Sequence, residues 1–265
     1  MKLQVIDKDA KKVGEVELNL EGSVRADIFK KAVLAENSLF RSPSGADPMA
    51  GRRSAISLSK RRRKLRTTYG RGGSRTPRKV MWSRGTQFRF VGAFAPNTVG
   101  GRRAHPPKAE KITFKNMNNK EWMKALVSGV LASLNKEVVE SNGQKLPTSY
   151  PFVLDDKVET ITKTKDFKDV LEKLGFAQEI ERTSETKIRA GIGKMRGRKY
   201  KVKRGPLVVI SSLEAPLLKA VRNVKGFDVV TPEFLMASDF GMSEKPGRAV
   251  IFTKSAIEEF KEVLA

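Results

Sequence analysis

Between Pro48 and Ala109 the chain has no acidic residue, and the side chains it does carry there are of the kinds that hold a polyanion. Arg52, Arg53 and Lys60 lead into Arg61, Arg62, Arg63, Lys64 and Arg66. Tyr69-Gly70-Arg71-Gly72-Gly73-Ser74 follows, then Arg75, Arg78 and Lys79. Trp82, Phe88, Phe90 and Phe94 are interleaved with Arg84 and Arg89, and Arg102, Arg103, His105 and Lys108 close the run. Cations neutralise phosphates, flat rings stack on unstacked bases, and glycines let a backbone approach closely, which is what RNA binding requires. A flexible loop with solvated charges is the plainer reading of a basic run. Trp and Phe left in water have no purpose in such a loop. Arg61 to Lys64 alone also fits a nuclear localisation patch.

A second basic stretch runs from Thr186 to Arg204, with nine cations in 19 residues. Lys187, Arg189, Lys194, Arg196, Arg198 and Lys199 are its candidate RNA contacts. Gly-Lys and Gly-Arg alternate there, as suits a backbone lying against phosphate, and a solvated loop is again the alternative.

Other chemistries lack their residues. Cysteine is absent, which excludes disulfides, thiolate metal sites and cysteine nucleophiles, and His105 is the only histidine. No Asp/Glu cluster has metal-ligand spacing, so neither a metal nor a cofactor is expected. Gly191-Ile192-Gly193-Lys194 is followed by Met195 and has Ile188 where a phosphate loop needs its first glycine. No G-x-G-x-x-G follows a strand and no G-x-S-x-G elbow occurs. No catalytic residue is assigned, and a nucleotide-binding enzyme is the minor alternative.

The charge balance agrees with a nucleic-acid partner. Lys and Arg number 53 against 29 Asp and Glu, a net charge of +24 and a pI near 10.3. From Arg41 to Lys111 the count is 19 Lys and Arg against Asp47 and Glu110, so this stretch alone carries +17. Such a chain needs a polyanion. A membrane surface is the competing anion, but no stretch approaches the roughly 18 apolar residues of a spanning helix. The start Met1-Lys2-Leu3-Gln4-Val5 has no signal-peptide pattern, so a soluble, cytoplasmic protein is expected.

The elements that must position these groups lie on either side of the basic run. With 39% hydrophobic residues the chain can bury a core. Met1 to Leu20 reads as a hairpin, with Leu3-Val5 and Val13-Val16-Leu18 alternating around Asp7 to Lys11. Ala26 to Phe40 reads as a helix. Asn119 is placed to cap a helix carrying Trp122, Met123, Leu126, Val127, Val130, Leu131 and Leu134. Another helix follows Thr164, with Phe167, Val170, Leu171 and Leu174 at helical spacing and Gly175 as its stop.

Leu207 to Ile210, Phe227 to Val230 and Ala249 to Phe252 are short apolar strands, and Phe152 to Leu154 adds a further one. Ser211 with Glu214, and Ser255 with Glu258, have capping-box spacing before apolar helical runs. Strands of this kind alternating with helices predict an α/β domain with a largely parallel, helix-covered sheet. Residues 1–40 and 112–265 are therefore expected to form one globular domain, with 41–111 an extended basic loop inserted in it. Like charges and few paired apolar faces would leave that loop extended or disordered when free. Doubled back, it makes two legs of about 35 residues, each reaching at most about 100 Å.

Particular strings carry a resemblance. Gly92-Ala93-Phe94-Ala95-Pro96, followed by Val99-Gly100-Gly101-Arg102-Arg103-Ala104-His105-Pro106-Pro107-Lys108-Ala109-Glu110-Lys111, resembles the end of the long loop in the large-subunit ribosomal protein L-four family, in its archaeal and eukaryotic form. Tyr69 to Ser74 stands where that loop has its glycine-arginine element, and Thr186 to Tyr200 is similar to the family's second RNA-contacting segment. Pro246-Gly247-Arg248 and Phe252 to Ala256 resemble its C-terminal strand and helix. The resemblance implies a Rossmann-like body bound to large-subunit ribosomal RNA, beside neighbouring ribosomal proteins including the L-twenty-two family. It also implies a loop whose tip, within about Arg71 to Phe94, helps line the peptide exit tunnel near the nascent peptide. Met236 to Lys245 departs from the shorter glycine-proline turn of the family, and the arm tip is richer in Arg and Phe. A free-standing nucleic-acid-compacting protein is the alternative.

Overall fold

The computed structural model describes every residue except Glu21, Arg66, Arg71 and Ala265, so two of the candidate RNA contacts, Arg66 and Arg71, lie outside the described residues. In chain order, β1 (Lys2–Ile6), β2 (Lys12–Glu17) and α1 (Ala26–Leu39) precede the hairpin β3 (Arg78–Arg84) and β4 (Gln87–Gly92). Then come α2 (Asn119–Leu134), α3 (Lys136–Ser141), β5 (Phe152–Leu154), α4 (Thr164–Lys173) and α5 (Ala177–Ser184). The chain continues through β6 (Thr186–Ile188), β7 (Tyr200–Val202), β8 (Leu207–Val209), α6 (Leu217–Arg222) and β9 (Asp228–Val230). The short pair β10 (Gly241–Met242) and β11 (Lys245–Pro246), then β12 (Val250–Thr253) and α7 (Lys254–Leu264), complete it. These elements fall into two compact units, one formed by Met1–Phe40 and the chain from Phe114 onward, the other by Arg41–Thr113.

The first unit is built on a six-stranded sheet in the order β2-β1-β5-β12-β8-β9. β1, β5, β12, β8 and β9 are mutually parallel, and β2 is antiparallel at one edge. β5, β8 and β12 are buried along their whole length, which is why their sequences are unbroken apolar runs and not alternations. Successive side chains still point to opposite faces. Val153, Leu207, Val209, Val250 and Phe252 meet Phe29, Val33, Leu126, Val130, Ile257 and Phe260 from α1, α2 and α7. Phe152, Leu154, Val208 and Ile251 meet Phe167, Leu171, Leu217 and Val221 from α4 and α6. The predicted α/β architecture, with helices on both faces of a mostly parallel sheet, is the one observed.

Three predicted helix starts are corrected. The cap of α2 is Asn118, one residue earlier than expected, and its side chain makes no capping bond. Ser211 caps nothing: its hydroxyl donates to Glu159 Oε2 at 2.6 Å, and α6 begins after Pro216. Ser255 lies inside α7, where its N–H donates to Asp156 Oδ1 at 2.9 Å. In the last two cases a carboxylate from a distant segment has taken over: Glu159 engages the serine meant as a cap, and Asp156 accepts one of the first N–H groups of α7. Helices α3 and α5, and the hairpins β3–β4 and β6–β7, are structures that the sequence reading did not predict.

The second unit has almost no interior. Among its described residues only Thr67 and Ala93 are buried. Among the described residues its one regular feature is the β3–β4 ribbon, with Val80 opposite Phe90 and Trp82 opposite Arg89, a bulge between them at Met81, and a tight turn at Gly85. Ser57 bridges to Arg78 alongside.

Candidate nucleic-acid interface

In the second unit the rings are seats for guanidinium groups. Tyr69 is flanked by Arg62 and Arg75, whose Cζ atoms lie 4.9 and 5.2 Å from the ring centroid, and Arg62 donates to the Tyr69 hydroxyl at 3.0 Å. Buried Thr67 organises this loop. Its Oγ1 accepts the Tyr69 N–H at 3.2 Å and donates to the carbonyl of Arg61 or Ser59, at 2.9 and 3.0 Å. Arg78 is turned inward, donating to the Ser74 carbonyl and, at 2.8 Å, to the Ser74 hydroxyl. Its task is to shape the glycine-rich loop, leaving less of it free for phosphate.

A second cluster closes on Phe94, a non-glycine residue at φ +67°. Arg52 and Arg102 both approach its ring, at 5.9 and 6.0 Å, and the Arg102 N–H donates to the Phe94 carbonyl at 3.2 Å. Two glycines permit this closure. A Cβ on Gly51, which sits at φ +73°, would stand 2.5 Å from the Gly101 carbonyl oxygen, and one on Gly101 would stand 2.0 Å from that of Ala95. Arg53 is paired with Asp47. The sequence reading had no means of joining Phe94 to Arg52 or Gly51 to Gly101, because these contacts cross about 40–50 positions of chain.

The remaining candidates of this unit are spread over its surface. Lys60, Arg61, Arg63 and Lys64 are exposed before the Tyr69 loop, while Lys79, Trp82, Arg84 and Arg89 stand on β3–β4. Exposed Trp82 faces exposed Arg89 across the ribbon, and Phe88 and Phe90 pair on its other face with centroids 4.5 Å apart. Arg103, His105 and Lys108 line an open cleft with Pro106, Pro107, Glu110 and Lys111. His105 sits there among cations, prolines and the single carboxylate of Glu110.

In the first unit, Lys187, Arg189, Lys194, Arg196, Arg198 and Lys199 are all gathered on the β6–β7 hairpin. Its strands pair Thr186 with Val202, Lys187 with Lys201 and Ile188 with Tyr200. The tip is a 3-10 turn, Ile192–Arg196, bracketed by Gly191 at φ +77° and Gly197 at φ +78°. Arg189 holds the tip closed, donating its backbone N–H to the Lys199 carbonyl at 2.8 Å and its Nε to that of Arg198 at 3.1 Å.

The root of this hairpin is locked by charge. Arg204 donates to the carbonyls of Ser238 and Gly241, both at 3.0 Å, and pairs with Asp228 and Asp239. Arg248, fully buried, pairs with Asp228 at 2.7 Å and donates to the Gly205 carbonyl at 2.6 Å. Burial, helped by the neighbouring Arg204 charge and opposed by Asp228, pushes Arg248 down to about 10. Burial likewise raises Asp239 above the usual carboxylate range. Arg182 forms a buried pair with Glu179 at 2.6 Å and donates to the Arg204 carbonyl at 2.7 Å. The hairpin, with seven cations between Thr186 and Val202, is thus carried on a fixed base.

Among the described residues no group of His, Cys, Asp or Glu is placed to hold a metal ion, and no helix is long and apolar enough to cross a membrane. The sequence model of the ribosomal protein L4/L1 family matches residues 16–263. The chain is 38% identical over 264 residues to the large ribosomal subunit protein uL4 of Nanoarchaeum equitans, covering 99% of this chain and 98% of that protein. It is 38% identical to its counterpart in Methanococcus vannielii, over 99% of both chains. The protein of the same name from Sulfolobus acidocaldarius is 34% identical, over 98% of this chain and 94% of that one.

Proposed function

Because this chain belongs to the ribosomal protein L4/L1 family, whose members are structural and not enzymatic, we propose that it holds large-subunit ribosomal RNA through two basic elements and supports the assembly of that RNA. One element is the Arg41–Thr113 unit and the other is the β6–β7 hairpin. The observation that carries this reading is the concentration of +17 between Arg41 and Lys111, in a unit with exposed Trp82, half-buried rings at Tyr69, Phe88, Phe90 and Phe94, and almost no interior. A segment without a core draws little order from its own packing and gains it from a partner. Holding one backbone residue costs about 1–2 kcal/mol, so many phosphate and stacking contacts are needed to offset the ordering of the segment.

In this reading the protein works on the ribosome in the cytoplasm, among ribosomal RNA and neighbouring large-subunit proteins. The stretch from about Arg71 to Phe94 helps line the peptide exit tunnel, where it meets the nascent peptide. Family resemblance supports that placement, and the β3–β4 ribbon supplies a narrow element suited to it.

RNA affinity measured against salt tests the binding. A log–log slope of about −0.7 to −0.9 per phosphate neutralised is expected, and deleting residues 60–108 should flatten it strongly. An unchanged slope would assign RNA binding to the first unit alone. In a sucrose gradient the protein should travel with large subunits. Sedimentation apart from them would favour a free nucleic-acid-compacting protein.

A further inference from the structure

The β6–β7 ribbon has two unlike faces. Side chains alternate along a strand, so the Lys187–Lys201 pair faces one way, and Ile188, Tyr200, Val202 and Thr186 face the other. The apolar face is bare: Ile188 is 66% exposed, Tyr200 59% and Val202 46%. The turn that closes the ribbon adds Ile192 at 65% and Met195 at 81%. An isolated exposed apolar residue is ordinary, but five within 15 residues on a rooted hairpin mark a surface made to be covered.

The charge around this face selects its occupant. Lys199 lies 5.4 Å from the Tyr200 ring, and Arg189, Arg196 and Arg198 share the hairpin. The core of a protein–protein interface is depleted of charge, because cations buried there lose their water without compensation. RNA offers both chemistries within a few ångströms: phosphates for the cations, and base faces or the shallow groove for the apolar side chains. A paired A-form helix hides its bases, so the apolar face needs an unpaired or bulged nucleotide.

We propose that the β6–β7 ribbon grips RNA with both faces, Lys187 and Lys201 holding backbone phosphate while Tyr200, flanked by Ile188 and Val202, receives an unstacked base and Met195 wedges beside it. The inference rests on the RNA-binding reading above and adds to it a requirement for a non-helical site. The hairpin is therefore a shape reader as well as an electrostatic anchor.

The test compares two RNA probes, a 2-aminopurine-bulged hairpin and its fully paired counterpart, bound by the full chain. The double variant Met195→Ser, Tyr200→Ser should bind the bulged RNA about tenfold more weakly and leave the salt slope and the duplex affinity unchanged. Lys187→Gln with Lys201→Gln should instead reduce the slope by about 1.4–1.8 and weaken both probes. Ultraviolet cross-linking of the unmodified chain should join Tyr200 to the bulged nucleotide, which decides the matter even where a variant folds poorly. If the chain binds RNA but the serine variant and the duplex behave as the parent does, or the cross-link maps elsewhere, the two-faced grip is wrong. Failure to bind either RNA would sink the function proposed above instead.

Discussion

Glu36 of α1 accepts the indole N–H of Trp122 on α2 at 2.7 Å, and the same carboxylate accepts the backbone N–H groups of Ala237 and Ser238 at 2.8 Å each. One buried side chain thereby ties two helices to a turn that precedes β10. Replacing it with alanine orphans three donors. Glu36→Ala should lower unfolding free energy by on the order of 3–5 kcal/mol in urea titrations, and Glu36→Gln by less, because its amide oxygen still accepts. An alanine variant as stable as the parent would show that water replaces the carboxylate freely.

Arg248 should also resist replacement. Itself fully buried, it pairs with half-exposed Asp228 and donates to the carbonyls of Gly205 and Pro206, so Arg248→Ala takes the donor from the Gly205 carbonyl, weakens the hold on Pro206 and leaves Asp228 to Arg204 alone. A loss of about 1–3 kcal/mol is expected from the orphaned acceptor. Arg248→Lys should rescue little, since a single ammonium cannot reproduce the forked geometry. Thermal melts of the three proteins decide it, and full rescue by lysine would mean that charge alone matters.

Acid should weaken the body in a predictable direction. Asp9, Glu15, Asp27 and Glu185 are each held below the usual carboxylate range, chiefly by hydrogen bonds from Lys173, Lys12, Arg25 and Lys203. Depressed folded values mean that the unfolded chain takes up protons first as pH falls. The stability these pairs supply is present above the unfolded values of 3.8 and 4.5, and is lost as pH drops through the lower folded ones. Urea midpoints followed from pH 6 to pH 3 should fall, and Lys173→Met should blunt the fall. A Lys173→Met profile matching the parent's would remove the Asp9 pair from the account.

Gly51→Ala should loosen the cluster on Phe94, because the new methyl meets the Gly101 carbonyl at 2.5 Å and the backbone there sits at φ +73°. Faster proteolytic cleavage between Arg41 and Thr113 is expected. Gly45→Ala, with nothing within 4 Å, serves as the control and should cut at the parental rate. Equal rates for both variants would deny the cluster any ordering role.

What the sequence reveals follows from which interactions are local. The sheet was legible because β5, β8 and β12 are continuous apolar runs between helical periodicities, and β1–β2 because alternation and a polar turn lie within 20 residues. Caps were misread at Ser211 and Ser255 because Glu159 and Asp156 arrive from some 50 and 100 residues away. The two basic stretches stood out by charge, but not their hairpins: the alternations Phe88-Arg89-Phe90 and Tyr200-Lys201-Val202 are too short to be told from a loop. The face carried by Ile188, Tyr200 and Val202 emerges only when β6 is laid against β7 in register. Sequence reading also treated all arginines alike, whereas Arg78 is committed to Ser74 and Arg53 to Asp47.

β12, the last strand of the chain, lies between β5 and β8 at the centre of the sheet. On a chain made from its amino end, the strands on either side must wait for it, and no earlier strand can close the gap. The Arg41–Lys111 polycation is synthesised long before that strand, and at about 5–20 residues per second the interval is on the order of 10 s. Throughout it, a strongly cationic segment hangs from an unfinished body with its sheet split in two. Order of synthesis therefore leaves the +17 of this segment uncovered before the sheet is complete. A transposition of β12 toward the amino end would shorten that interval.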